Sequence, residues 1–119
     1  MLRVYTYASC DTCRRAVQWL RAHGLAFEER PIRETPPTLA ELRTVLAAFP
    51  GERGRLFNTS GRDYRALGLG QKLPAMTDDA ALRLLAANGN LVKRPFLLGP
   101  GTALTGFDER AWAAALLKS

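Results

Sequence analysis

The sequence predicts a small α/β domain in which four short strands form one mixed sheet covered by helices. Three observations carry that expectation: a strand–helix–strand opening, a helix-rich middle over about 38–90, and two closing strands around Gly99-Pro100-Gly101 followed by one last helix. Residues 2–7, LRVYTY, are β-branched and aromatic and run into Ala8-Ser9-Cys10, the pattern of a strand that ends in a tight loop. Cys13, Ala16, Val17 and Leu20 then follow i, i+3, i+4, i+7 spacing, while Arg14, Arg15, Gln18 and Arg21 fall on the other face. A half-buried helix is expected there, stopping at Gly24. Residues 25–30, LAFEER, read as a second strand broken by Pro31. Such a unit pairs its strands in parallel through a right-handed crossover.

The middle changes character. Thr38 and Glu41 are spaced as a capping box, each able to satisfy an orphan amide of a first helical turn, and Leu39, Leu42, Leu46 and Phe49 make an apolar stripe up to Pro50. Residues 62–67 suit a short helix ending at Gly68, and Thr77 before Asp78 and Asp79 starts a helix that runs to Asn88-Gly89. Residues 96–98 and 102–105 are the two closing strands, and Asp108 caps a final helix through Leu117 with Trp112 and Leu116 on one face.

Length and composition fit one domain: 119 residues, 47% hydrophobic and 24% charged, far from the disordered range. Seventeen Lys and Arg against eleven Asp and Glu leave +6, which suits an anionic partner, but no basic run exceeds Arg14-Arg15 and no zinc-finger spacing or basic heptad occurs. Nucleic-acid binding is therefore not expected. Two cysteines exclude a disulfide scaffold, and two Cys with one His fall short of a four-ligand zinc site. No apolar run approaches the ~20 residues that span a bilayer. MLRVYTYASC lacks a charged leader followed by an apolar stretch, so the expected protein is a cytoplasmic monomer, away from membranes, with reduced thiols.

The chemistry concentrates at Cys10-Asp-Thr-Cys13. Cys10 ends the loop after the first strand and Cys13 lies in the first helical turn, so free amides and the helix dipole favour thiolate at Cys10. Arg14 and Arg15 add positive charge and Asp11 opposes it. A cysteine so placed has a pKa about one or more units below the free value of about 8.5 and is a nucleophile near neutral pH. Residues three apart on a helix have Cβ atoms about 5–6 Å apart, near disulfide geometry. Closing so small a loop stabilises a fold by only about 2 kcal/mol, so the spacing suits making and breaking the bond. Two buried inert thiols are the alternative, and fit Cys13 better than Cys10. A Cys-x5-Arg phosphatase loop is excluded by Ala16. Ser9 and Thr12 either hydrogen-bond the reacting atoms or cap the helix. His23 reads as an exposed helix-end residue, and Trp19 and Trp112 as packing residues.

YASCDTCRRAVQWL, LFNTSGRDYRALGL, VKRPFLLG and TGFDE occur in that order over nearly the whole chain. Together they resemble the arsenate reductase (ArsC)-like family, near its branches of Spx regulators and YffB-type reductases. The resemblance implies a thioredoxin-like (glutaredoxin-like) fold with a helical insertion over about 38–90 and a cis-proline, Pro95, facing the active cysteine. It implies Cys10 as nucleophile and Arg94 as the arginine that holds an oxyanion such as arsenate, a role that suits a planar, permanently charged fork. The alternative for Arg94 is a surface arginine before a proline. Family reductases resolve the adduct with glutathione and glutaredoxin, or with a second cysteine and thioredoxin. The arsenate reductases proper use two further arginines, whose matching positions here are Asn58 and Gly106, with Arg55, Arg62 and Arg65 close to the first of them. Cys13 is a second departure and implies an internal Cys10–Cys13 step. The same resemblance implies an alternative function, a redox-sensing regulator that contacts the RNA polymerase α subunit. Regulators of that branch extend further past the last helix, which tilts the expectation toward a reductase.

Overall fold

The computed structural model describes residues 1–117. β1 (Leu2–Thr6) leads into α1 (Asp11–Ala22), and β2 (Phe27–Pro31) returns parallel to β1. α2 (Leu39–Ala48), α3 (Arg62–Ala66), α4 (Leu69–Lys72) and α5 (Asp78–Ala87) follow, with 3-10 turns between α2 and α3, between α4 and α5, and after α5. β3 (Phe96–Gly99) and β4 (Thr102–Thr105) form the closing hairpin, and α6 (Glu109–Leu116) ends the described chain. The sheet order is β2-β1-β3-β4, with β3 antiparallel to both of its neighbours. This is the thioredoxin-like arrangement, and no helix among the described residues is long and apolar enough to cross a membrane.

Strand alternation places successive side chains on opposite faces of the sheet, and both faces are covered. Val4 and Leu97 join Ala16, Trp19, Leu20 and Trp112 in a core under α1 and α6. Tyr5 and Phe96 point the other way, into a larger core with Leu42, Val45, Leu82 and Leu85 of α2 and α5. The end of α1 explains a correction to the second strand. Gly24 N–H bonds the Arg21 carbonyl and Leu25 N–H reaches back to Leu20, the Schellman pair, so Leu25 belongs to the helix stop and the strand begins at Phe27. Pro31 does not break it: on an edge strand its missing N–H costs no ladder bond, and Ile32 N–H continues the pairing to the Thr6 carbonyl at 2.8 Å.

The Thr38 capping box forms as spaced, with Glu41 N–H on the Thr38 hydroxyl and the Glu41 carboxylate on the Thr38 amide. That carboxylate does more than cap. It accepts the buried Tyr5 hydroxyl at 2.6 Å and pairs with Arg3 at 2.7 Å, so one residue ties α2 to the central strand. At the far end, Gly89 lies so close to the chain after β2 that a Cβ there would stand 1.8 Å from the Ile32 carbonyl oxygen. The helices between β2 and β3 are thereby held against the end of the sheet at which β1 terminates.

Candidate functional site

Cys10 is itself the N-cap of α1. Its sulfur accepts the Cys13 N–H at 3.2 Å, and its own amide donates to the Tyr7 carbonyl at 3.0 Å. Neither Ser9 nor Thr12 caps the helix. Ser9 is exposed in the loop, and the Thr12 hydroxyl takes a long 3.5 Å contact from Arg15. Both cysteines are free thiols, Cys10 half-buried and Cys13 2% exposed. Burial, reinforced by a hydrogen bond to Cys10, pushes the Cys13 thiol up from about 9 to about 12, against the main chain of Tyr7 and the charge of Arg94. Cys13 is thus a protonated partner at neutral pH, and Cys10 is the sulfur that solvent can reach.

Arg14 is engaged by its neighbours, pairing with Asp11 and donating to the Ala8 carbonyl at 2.8 Å. The charge of Arg94 acts on Cys13, opposing the effect of burial. Its guanidinium lies 5.0 Å from the Tyr7 ring centroid, and its Nη1 is buried with no hydrogen-bond partner. The following residue, Pro95, is buried after a cis peptide bond. A guanidinium nitrogen shut off from water without an acceptor is costly in isolation and favours an anion beside it.

Arg94 and Asn58 share a cavity of about 330 Å³ with Tyr7, Arg33, Arg62 and Asp63. Asn58 reaches it because its amide N–H bonds the Leu91 carbonyl, beside the Phe57–Val92 bridge that fixes the chain just before Arg94. Of the neighbouring arginines, Arg62 lines this cavity. Arg55 instead pairs with Glu52 over the Phe49 ring, and Arg65 donates to the Ser60 carbonyl. Gly106 has φ +69°, a conformation a side chain there would strain, and a Cβ would stand 3.2 Å from the Lys93 side chain. Its amide bonds the Pro95 carbonyl and its carbonyl accepts the buried Trp112 indole, so this position serves the fold rather than the anion. Sequence reasoning missed Tyr7 and Arg33. Arg33 donates to the Tyr7 hydroxyl at 2.9 Å and its guanidinium also lies 5.0 Å from the ring centroid. No local pattern joins two residues so far apart along the chain.

Residues 5–115 match the model of the ArsC family. The chain is 41% identical to the uncharacterized protein YusI of Bacillus subtilis, over 91% of this chain and 92% of that one. It is 29% identical to the global transcriptional regulator Spx of Enterococcus faecalis, over 92% of this chain and 81% of the regulator. Among solved structures, the crystal structure of a possible arsenate reductase from Streptococcus mutans superposes with a TM-score of 0.84 at 40% identity, covering 90% of this chain and 91% of the other.

Proposed function

Because this chain belongs to the ArsC family, we propose that it is a thiol-dependent reductase in which Cys10 attacks and Arg94 holds the anionic group under attack. With arsenate, the Cys10 thiolate displaces one oxygen as water and forms a sulfur–arsenic bond. A second thiol then attacks the Cys10 sulfur, that bond breaks with its electron pair on arsenic, and arsenite leaves as a disulfide forms. A disulfide substrate follows the same course, with one sulfur expelled as thiolate in each step. Cys13 is the nearest second thiol and yields Cys10–Cys13, but its burial holds it protonated, so it must lose its proton as it attacks. Glutathione with glutaredoxin, or thioredoxin, then returns two electrons. Ser9 and Thr12 flank Cys10, and Asn58 and Pro95 complete the anion's surroundings.

The observation that supports this reading most directly is the buried, unpartnered Nη1 of Arg94, an arginine whose charge acts on Cys13. A coupled NADPH assay with arsenate, run with glutathione and glutaredoxin and separately with thioredoxin, tests it. Turnover is expected with one donor, absent in Cys10→Ser and lost in Cys13→Ser if Cys13 resolves; full turnover in Cys10→Ser would sink the mechanism. The relation to Spx supports a second reading, a regulator with Cys10 and Cys13 as its redox switch. Specific retention of the RNA polymerase α subunit by the reduced or oxidised protein, with no turnover in either assay, would favour it.

A further inference from the structure

We infer that Glu29 is the proton acceptor for Cys13, taking the thiol proton through a cavity that both residues line on the α1 side of the sheet. The inference rests on the thiol chemistry proposed for Cys10 and Cys13. In the parallel register Glu29 stands beside Val4, and Val4 packs under α1, so Glu29 lies on the sheet face that α1 covers. Cys13 belongs to the buried face of α1, with Ala16, Val17 and Leu20. The cavity measures about 250 Å³, and its walls include Thr6, Cys13, Arg14, Gln18, Arg21 and Glu29. Cys10 is not part of these walls, which separates the way out for the proton from the direction of attack.

Glu29 is the one carboxylate that lines this cavity. Among the described residues it forms no ion pair, whereas Asp11 is taken by Arg14, and Glu28 by Arg3 and Arg30. The buried Thr6 hydroxyl donates to Glu29 Oε2 at 2.6 Å, which fixes one oxygen and leaves Oε1 for the proton. The charged side chains on this face are Arg14 and Arg21 of α1, and Arg94 acts on Cys13 by its charge. Arg3, Glu28 and Arg30 lie on the opposite face with Tyr5. A cavity of this size and polar lining admits water, which takes about 30 Å³, so the proton can pass without direct contact between sulfur and carboxylate. Burial holds the Cys13 thiol protonated at neutral pH, and attack on Cys10 gains from an acceptor that takes the proton as the bond forms.

Stopped-flow reaction of the full reduced protein with the aromatic disulfide dithiobis-nitrobenzoate tests the role. The Cys10 thiolate cleaves the reagent, forming a mixed disulfide and expelling one aromatic thiolate. Cys13 then gives its proton to Glu29 while its sulfur attacks the Cys10 sulfur. The mixed disulfide breaks with its electron pair on the second aromatic thiolate, and Glu29 passes the proton to solvent. Two phases of thiolate release are expected, both lost in Cys10→Ser and the second alone lost in Cys13→Ser. Glu29→Gln keeps an oxygen for the Thr6 hydroxyl; it should leave the first phase unchanged and slow the second at least tenfold at neutral pH. That loss should shrink as the pH rises and hydroxide takes the proton instead. Glu28→Gln removes a carboxylate from the opposite face and should change neither phase. A single phase in the unaltered protein, an unslowed second phase in Glu29→Gln, a loss of the same size at every pH or an equal loss in Glu28→Gln would overturn the role. Failure of the reductase reading appears separately, as an inactive coupled assay with both phases of release intact.

Discussion

At the scale of single residues, the two cysteines differ because one stands at a helix boundary and the other beneath it. Cys10 supplies its own helix cap through sulfur, whereas Cys13 is packed against the sheet. Limited iodoacetamide near neutral pH should therefore alkylate Cys10 and spare Cys13, as read by peptide mass spectrometry; preferential labelling of Cys13 would reverse the assignment. The raised Cys13 pKa has a sign for stability as well. The native state holds a proton that the unfolded chain releases near pH 9, so the stabilisation is complete below that pH and declines up to about pH 12. Tyr5, pushed from 10.0 to about 12 by burial and by its bond to Glu41, adds to the decline in the upper part of that window. Cys13→Ser should flatten the alkaline limb of a urea-denaturation series, and an unchanged slope would count against the buried proton. Arg94→Ala should raise KM for an oxyanion by about tenfold or more, with incomplete rescue by Lys, since an ammonium lacks the two-pronged geometry.

At the scale of elements, the region between β2 and β3 is anchored at its two ends by different devices. Glu41 joins the α2 cap to Tyr5 and Arg3. Burial alone would raise its pKa, but donation from Tyr5, the Thr38 amide and Arg3 outweighs that and holds it below 4.5. The stability this contributes is present above about pH 4.5 and is lost as the pH falls through the lower native value. Glu41→Gln should lower stability at neutral pH and flatten the acid limb, measured by denaturation between about pH 3 and 7. Gly89→Ala should cost more than about 2 kcal/mol, because the obstacle is a main-chain carbonyl rather than a flexible side chain. Unaltered melting of Gly89→Ala would mean that the contact with Ile32 is loose.

Across the whole molecule, two cores share one sheet. Val4 and Tyr5 are adjacent in β1 and are buried on opposite faces, as are Phe96 and Leu97 in β3. Neither core can open without exposing strands on which the other depends. Leu20→Ala in one core and Leu85→Ala in the other should each cost about 2–5 kcal/mol and shift a single unfolding transition. Two resolved transitions, seen as non-coincident circular dichroism and tryptophan fluorescence curves, would show that the halves unfold separately.

The sequence by itself determined the order of elements, the Thr38, Thr77 and Asp108 caps, the hairpin at Pro100-Gly101 and the Cys10–Cys13 pair at the start of a helix. Each depends on residues a few positions apart, where backbone geometry fixes who meets whom. The second strand was displaced because the helix stop took Leu25, a competition between two local signals that only the packed chain resolves. Tertiary structure alone decided which arginines are paired, that Arg14 is taken up by Asp11 and the Ala8 carbonyl, and that Arg33 meets Tyr7 across 26 positions. A charge placed by a long side chain takes its partner from whatever surface the fold brings within reach, and no periodicity in the sequence records that choice.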